Sequence, residues 1–79
     1  MKQRILNMSI DEAIEAFELI KWKFFEVSED ASSITLEVPR GYRESFIVEA
    51  KVGEDLETIK AMLVYSGFIE QEVKRSPDW

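Results

Sequence analysis

The side chains available for chemistry in this chain are carboxylates, amines, guanidiniums and hydroxyls, because histidine and cysteine are both absent from its 79 residues. Histidine is the side chain whose ordinary pKa lies near neutrality, and thiolate and imidazole together supply most protein ligands for zinc. Acid–base relays through imidazole, thiol nucleophiles and the common zinc sites are therefore out of reach. Carboxylate chemistry alone remains. Glycosidase-type work needs two carboxyls facing across a cleft, and a chain of this length has little volume for one. Glu15 and Glu18 share a helix side, but a carboxylate-bridged metal motif also wants histidine at that spacing. No EF-hand loop, Gly-rich phosphate loop or G-x-S-x-G elbow occurs. The expectation is a non-enzymatic protein without cofactor or metal.

The best polar recognition candidate is a turn carrying Arg40, Tyr42 and Arg43. Two guanidiniums and a phenol could hold a phosphate or stack on a base if they line a concave surface. The plainer expectation is a solvated turn whose arginines pair with Glu44. Sixteen acidic residues against ten basic leave a net charge of -6, the wrong global sign for displacing counterions from nucleic acid. Direct nucleic-acid binding is disfavoured, although a local basic patch is compatible with the composition.

Those groups must be carried by a small set of elements. Ser9 and Glu12 form an S-x-x-E capping box, in which each side chain satisfies a backbone donor of the other. Ile10, Ala13, Ile14, Phe17 and Ile20 then recur at helical spacing, which predicts a helix over about residues 10–22. A second helix opens at Gly53, Glu54 and Asp55, presents Leu56, Ile59, Met62, Leu63 and Ser66 inward, and stops at Gly67 as a left-handed C′ residue. Ile34, Leu36 and Val38 alternate with Thr35 and Glu37 in a strand ended by Pro39, and Phe46–Val52 alternates likewise. The turn between them makes an antiparallel hairpin. Phe24–Val27 and Phe68–Lys74 are further strands, one after each helix, and Lys2–Asn7 is a weaker candidate.

Two strand-helix-strand units joined by a hairpin predict a single α+β domain over residues 1–79: a two-layer plait with an antiparallel or mixed sheet of four or five strands and two helices on one face, ferredoxin-like or related. Leu19 and Trp22 fall opposite the apolar stripe of the first helix, and Val64 and Tyr65 leave the inner face of the second. A contiguous apolar patch marks a partner surface, so these four are the candidate partner-binding residues. The competing expectation for Trp22 is that it tucks beneath the sheet edge. On the hairpin, Ile47 points outward with Thr35, Glu37, Glu49 and Lys51, a mixture that reads as a solvated face, with dimerisation through the sheet face as the secondary expectation.

Read from Asn7 to Ala50, the residues Met8-Ser9-Ile10-Asp11-Glu12-Ala13, Phe24-Phe25-Glu26-Val27 and Pro39-Arg40 make a segment that resembles the small C-terminal domain of long-form ribosome hibernation promoting factors. The resemblance implies a β-α-β-β-β order and a homodimerisation module. It departs at Lys21-Trp22-Lys23, where that family has Gly-His, at Gly41, where it has a basic residue, and in the second helix and strand that follow.

The functional expectation is a protein-interaction or regulatory module that binds a protein partner, or a second copy of itself, through an apolar patch with an acidic rim. The alternative is a small acidic inhibitor of phage or mobile-element type that mimics nucleic-acid charge. The first ten residues lack the apolar run of about 7–15 residues of a signal peptide. No stretch approaches the ~20 apolar residues of a membrane span, so a cytoplasmic protein without membrane contact is expected.

Overall fold

The computed structural model describes residues 2–71. Along the chain it forms β1 (Lys2–Ile5), α1 (Ile10–Ala16), β2 (Phe24–Val27), β3 (Ser33–Pro39), β4 (Glu44–Lys51), α2 (Leu56–Tyr65) and β5 (Ile69–Gln71). The strands make one mixed sheet in the order β1-β4-β3-β2-β5. β2, β3 and β4 form an antiparallel meander, while β1 runs parallel to β4 and β5 parallel to β2. Each helix therefore crosses between parallel strands that have two others between them. The α+β class, the mixed five-stranded sheet and the two helices match the expectation from sequence. The element order contains one strand more than the β-α-β-β-α-β order of a ferredoxin-like plait.

Strand alternation decides which face is covered. Ile34, Leu36 and Val38 of β3 are buried with Phe25 of β2 and Val48 of β4, and they join Ile10 and Ala13 from α1, Phe17 at its C-cap and Leu63 from α2 in one core. Both helices thus lie on one face. Phe17 stacks on Phe46 of β4 with ring centroids 6.1 Å apart, which fixes the end of α1 over the sheet.

Local signals set most element ends. The capping box is present, with Ser9 Oγ accepting from the Glu12 N–H at 3.1 Å and Glu12 Oε1 accepting from the Ser9 N–H at 3.1 Å. At the end of α2, Gly67 takes φ +94. The Phe68 N–H donates to the Leu63 carbonyl and the Gly67 N–H to the Val64 carbonyl, the bonding pattern of a Schellman cap with Phe68 packed back on the last turn.

Three expectations need correction. α1 stops at Ala16 rather than near residue 22, because Phe17 O accepts from the Ile20 N–H in a tighter turn and from the Lys23 side chain. Met62 is 39% exposed and not part of the inner face; Leu63, one position on, takes the central place over the sheet. Glu44 and Ser45 start β4 earlier than the alternation suggested, while β3 ends at Pro39 as expected. The last residues of the expected strand Phe68–Lys74 lie outside the described residues.

Leu63→Ala should cost about 2–5 kcal/mol, the range for truncating a fully buried aliphatic side chain. Met62→Ala should stay within about 0.5 kcal/mol, as for an ordinary surface change. Urea midpoints of the two variants check both values, and equal losses would place the wrong face of α2 against the sheet.

Candidate functional site

Topology brings the C-terminal ends of both helices to the same end of the molecule as the β3–β4 hairpin, because each helix runs antiparallel to the strands it joins and β4 begins where the helices stop. A groove of about 470 Å³ opens there between the helices, lined by Ile14, Glu15 and Glu18 from α1 and its following turn and by Tyr65 and Ser66 from α2 and its cap. Ile14 is half-buried and forms an apolar wall, while Tyr65 is 94% exposed. No described cation lies within ion-pair distance of Glu15 or Glu18; ion pairs among the described residues include Arg4 with Glu44 and Lys60 with Glu70.

The four candidate partner-binding residues all end up exposed at this end. Leu19 is 96% exposed on the turn after α1, and Val64 stands beside Tyr65 on α2. Trp22 is exposed as well, so it does not tuck beneath the sheet edge. Tyr65 is the one of the four that lines the groove. Ile14, Glu15 and Glu18 were legible as helix residues in the sequence, but which side of α1 faces α2 was not.

A buried lysine holds this end together. Lys23, just before β2, is only 2% exposed. Its Nζ donates to Phe17 O at 2.9 Å and to Glu18 O at 3.4 Å, and it lies 5.1 Å from the centre of the Phe68 ring. A cation at a helix C-terminus is favoured by the helix dipole and caps carbonyls left without helical donors. The main chain of the same residue accepts from the Ile69 N–H at 2.9 Å, which starts the β2–β5 pairing. Gly67 sits against the lysine stem, since a Cβ there would meet Lys23 Cε at 3.4 Å. One residue therefore ties α1, β2, the α2 cap and β5.

The arginine turn departs from expectation. Glu44 faces Arg4 of β1, with Nε and Oε1 4.0 Å apart, rather than pairing with the turn arginines. The parallel β1–β4 register, which sets Lys2 opposite Glu44 and Arg4 opposite Phe46, brings Arg4 within reach. Arg40 instead lies over the Phe46 ring at 5.3 Å, and Arg43 over the Tyr42 ring at 5.0 Å. Arg40 also lines a smaller cleft of about 160 Å³ with Ala16, Phe17, Ile20, Val38, Pro39 and Phe46. Tyr42 is 85% exposed at the tip, where Gly41 and Arg43 both take left-handed φ near +65.

Charge is segregated along the strand axis. Asp11, Glu12, Glu29, Asp30, Glu54, Asp55 and Glu57 crowd the end where the helices begin, with Lys51 and Lys60 the cations nearest them in chain order. The hairpin end mixes Lys21, Arg40 and Arg43 with Glu15 and Glu18. Among the described residues, no group of three or more carboxylates could hold a metal ion, and no helix is long and apolar enough to cross a membrane.

The opposite face of the sheet carries a feature the sequence concealed. Register aligns Ile5, Ile47, Glu37, Phe24 and Ile69 in one row across all five strands. Ile47 is 8% exposed there, so it is not simply solvated. Ser45 Oγ, on the same side of β4, is buried without a hydrogen-bond partner.

The sequence matches no protein-family model and no curated protein.

Two measurements test this site. Lys23→Ala should cost about 2–5 kcal/mol, comparable to truncating a long buried side chain, and Lys23→Met should recover the part due to the stem alone. A Met variant with the wild-type urea midpoint would mean that the ammonium adds nothing to the stem. At the far end, Asp30 Oδ1 accepts from Ser28 Oγ and Ser32 Oγ, each at 2.7 Å. Those bonds hold its pKa at about 2 against an ordinary 3.8. Because the folded pKa is depressed, this contribution is complete above the ordinary value and disappears as pH falls towards 2. A side-chain carboxyl NMR titration should find Asp30 ionised well below the ordinary range, and Ser32→Ala should raise its midpoint.

Proposed function

We propose that the protein is a non-enzymatic interaction module whose α1–α2 groove receives a basic segment of a protein partner anchored by an apolar or aromatic side chain. The observation that carries this reading is the groove itself: an apolar wall at Ile14, an exposed phenol at Tyr65, and two carboxylates, Glu15 and Glu18, without a cation opposite them. Exposed carboxylates select and steer a basic partner more than they hold it. Binding energy concentrates in a few desolvated aromatic contacts, and Tyr65 is placed to supply one, with Leu19, Val64 and Trp22 exposed at the same end.

The segregated charge favours one other reading. The acidic end, with Asp11, Glu12, Glu54, Asp55 and Glu57 on neighbouring segments, suits a mimic of nucleic-acid charge that blocks a basic groove on another protein. The two readings differ in salt dependence, because ion pairs at a charged surface are screened within ~8 Å at physiological ionic strength.

A fluorescein-labelled peptide of alternating lysine and leucine serves as probe. Saturable binding, weakened at least ~10-fold by Tyr65→Ala, a hot-spot-sized loss, and less by Glu15→Gln with Glu18→Gln, is the expected result. Binding that falls steeply with salt, tolerates Tyr65→Ala and is lost on neutralising Glu54 and Asp55 would replace this reading with the mimic.

A further inference from the structure

We infer that the β3–β4 hairpin tip of one copy seats in the α1–α2 groove of a second copy, so that the chain is its own partner; this rests on the reading of the groove as a receptor for basic, aromatic-anchored segments. The hairpin tip has that chemistry. Tyr42 is 85% exposed with the Arg43 guanidinium stacked on its ring, and Arg40 stands at the base of the turn. Among the described residues no carboxylate comes within ion-pair distance of Arg40 or Arg43, because the adjacent Glu44 faces Arg4. The groove holds the complement: Glu15 and Glu18 without cations, beside Ile14 and Tyr65. Unsatisfied charges of both signs therefore face outward from one end of one chain.

A single copy cannot join them. The last turn of α1 stands between the two features, with Ala16, Phe17 and Ile20 facing Arg40 on one side and Ile14, Glu15 and Glu18 facing Tyr65 on the other. Two copies can. Hairpin and groove lie at the same end, so a two-fold arrangement makes both contacts at once and closes, as isologous dimers do. The charge distribution favours that contact. The excess acid lies at the far end of β4, whose 8 residues span ~26 Å at ~3.3 Å each, about three Debye lengths at physiological salt, where that length is ~8 Å. End-to-end docking keeps the two acidic ends apart, while the mixed hairpin ends meet.

Charge exchange tests the inference directly. Sedimentation equilibrium of wild type at low salt, up to about 1 mM, should show a monomer–dimer equilibrium in this affinity range. Glu15→Arg with Glu18→Arg, and separately Arg40→Glu with Arg43→Glu, should each weaken it at least ~10-fold through like-charge contact. An equimolar mixture of the two variants should recover a dimer, which a merely structural defect could not produce. Far-UV circular dichroism and urea midpoints establish that both variants are folded, and Tyr42→Ser provides a version without charge change, expected to weaken the dimer as well. A wild type that stays monomeric overturns self-docking, while binding of the lysine–leucine peptide in the same sample would leave the groove reading standing. A dimer indifferent to both exchanges, or no recovery on mixing folded variants, also overturns it.

Discussion

The Lys23 ammonium sits where the end of α1, the start of β2 and the turn from α2 into β5 converge, and its surroundings decide the shape of that whole end. Its Nζ bonds to two carbonyls of the α1 terminus and lies over the Phe68 ring, while its own carbonyl begins the β2–β5 ladder. A helix of seven residues is far below the length of about 12–15 that is even marginally stable alone. α1 survives because a capping box closes one end, Phe17 packs on Phe46, and Lys23 closes the other. Burying an ammonium without a carboxylate partner is costly, and carbonyl bonds, the helix dipole and an aromatic face offset that cost in combination.

The position of the groove follows from this closure. Because α1 ends at Ala16, the residues after it turn across the end of the sheet instead of continuing as helix. Glu18 and Leu19 are then carried outward on that turn, and Glu15 and Glu18 come to face Tyr65 and Ser66 of α2. A helix continued to residue 22 would have left a single residue before β2. The same closure separates the groove from the cleft beside Arg40, so one short turn leaves two concave features lined by opposite charges.

Charge behaves similarly. A chain with net charge -6 reads as uniformly acidic, yet parallel crossovers gather the helix starts and the β2–β3 turn at one end and the hairpin and helix termini at the other. The result is an acidic end and a mixed end. The two proposed modes, a basic segment in the groove or a basic surface against the acidic end, differ in which end they use rather than in the total charge.

What the sequence determined by itself was everything governed by neighbours within a few positions. Period-2 alternation marked β3 and β4, a three- and four-residue stripe marked α1, Ser9 with Glu12 closed the helix start, and Gly67 terminated α2 because an L side chain is strained at φ +94. Only the tertiary structure decided that Arg4 rather than Arg43 would meet Glu44, since that pairing follows from placing β1 beside β4 in parallel. It alone decided that a lysine flanked by Trp22 and Phe24 would be buried, and that Ile5, Ile47, Glu37, Phe24 and Ile69 would fall in one row. Each of these rests on strand order and register between distant segments. Local pattern cannot specify that order, because an alternating strand presents the same faces to any neighbour it pairs with.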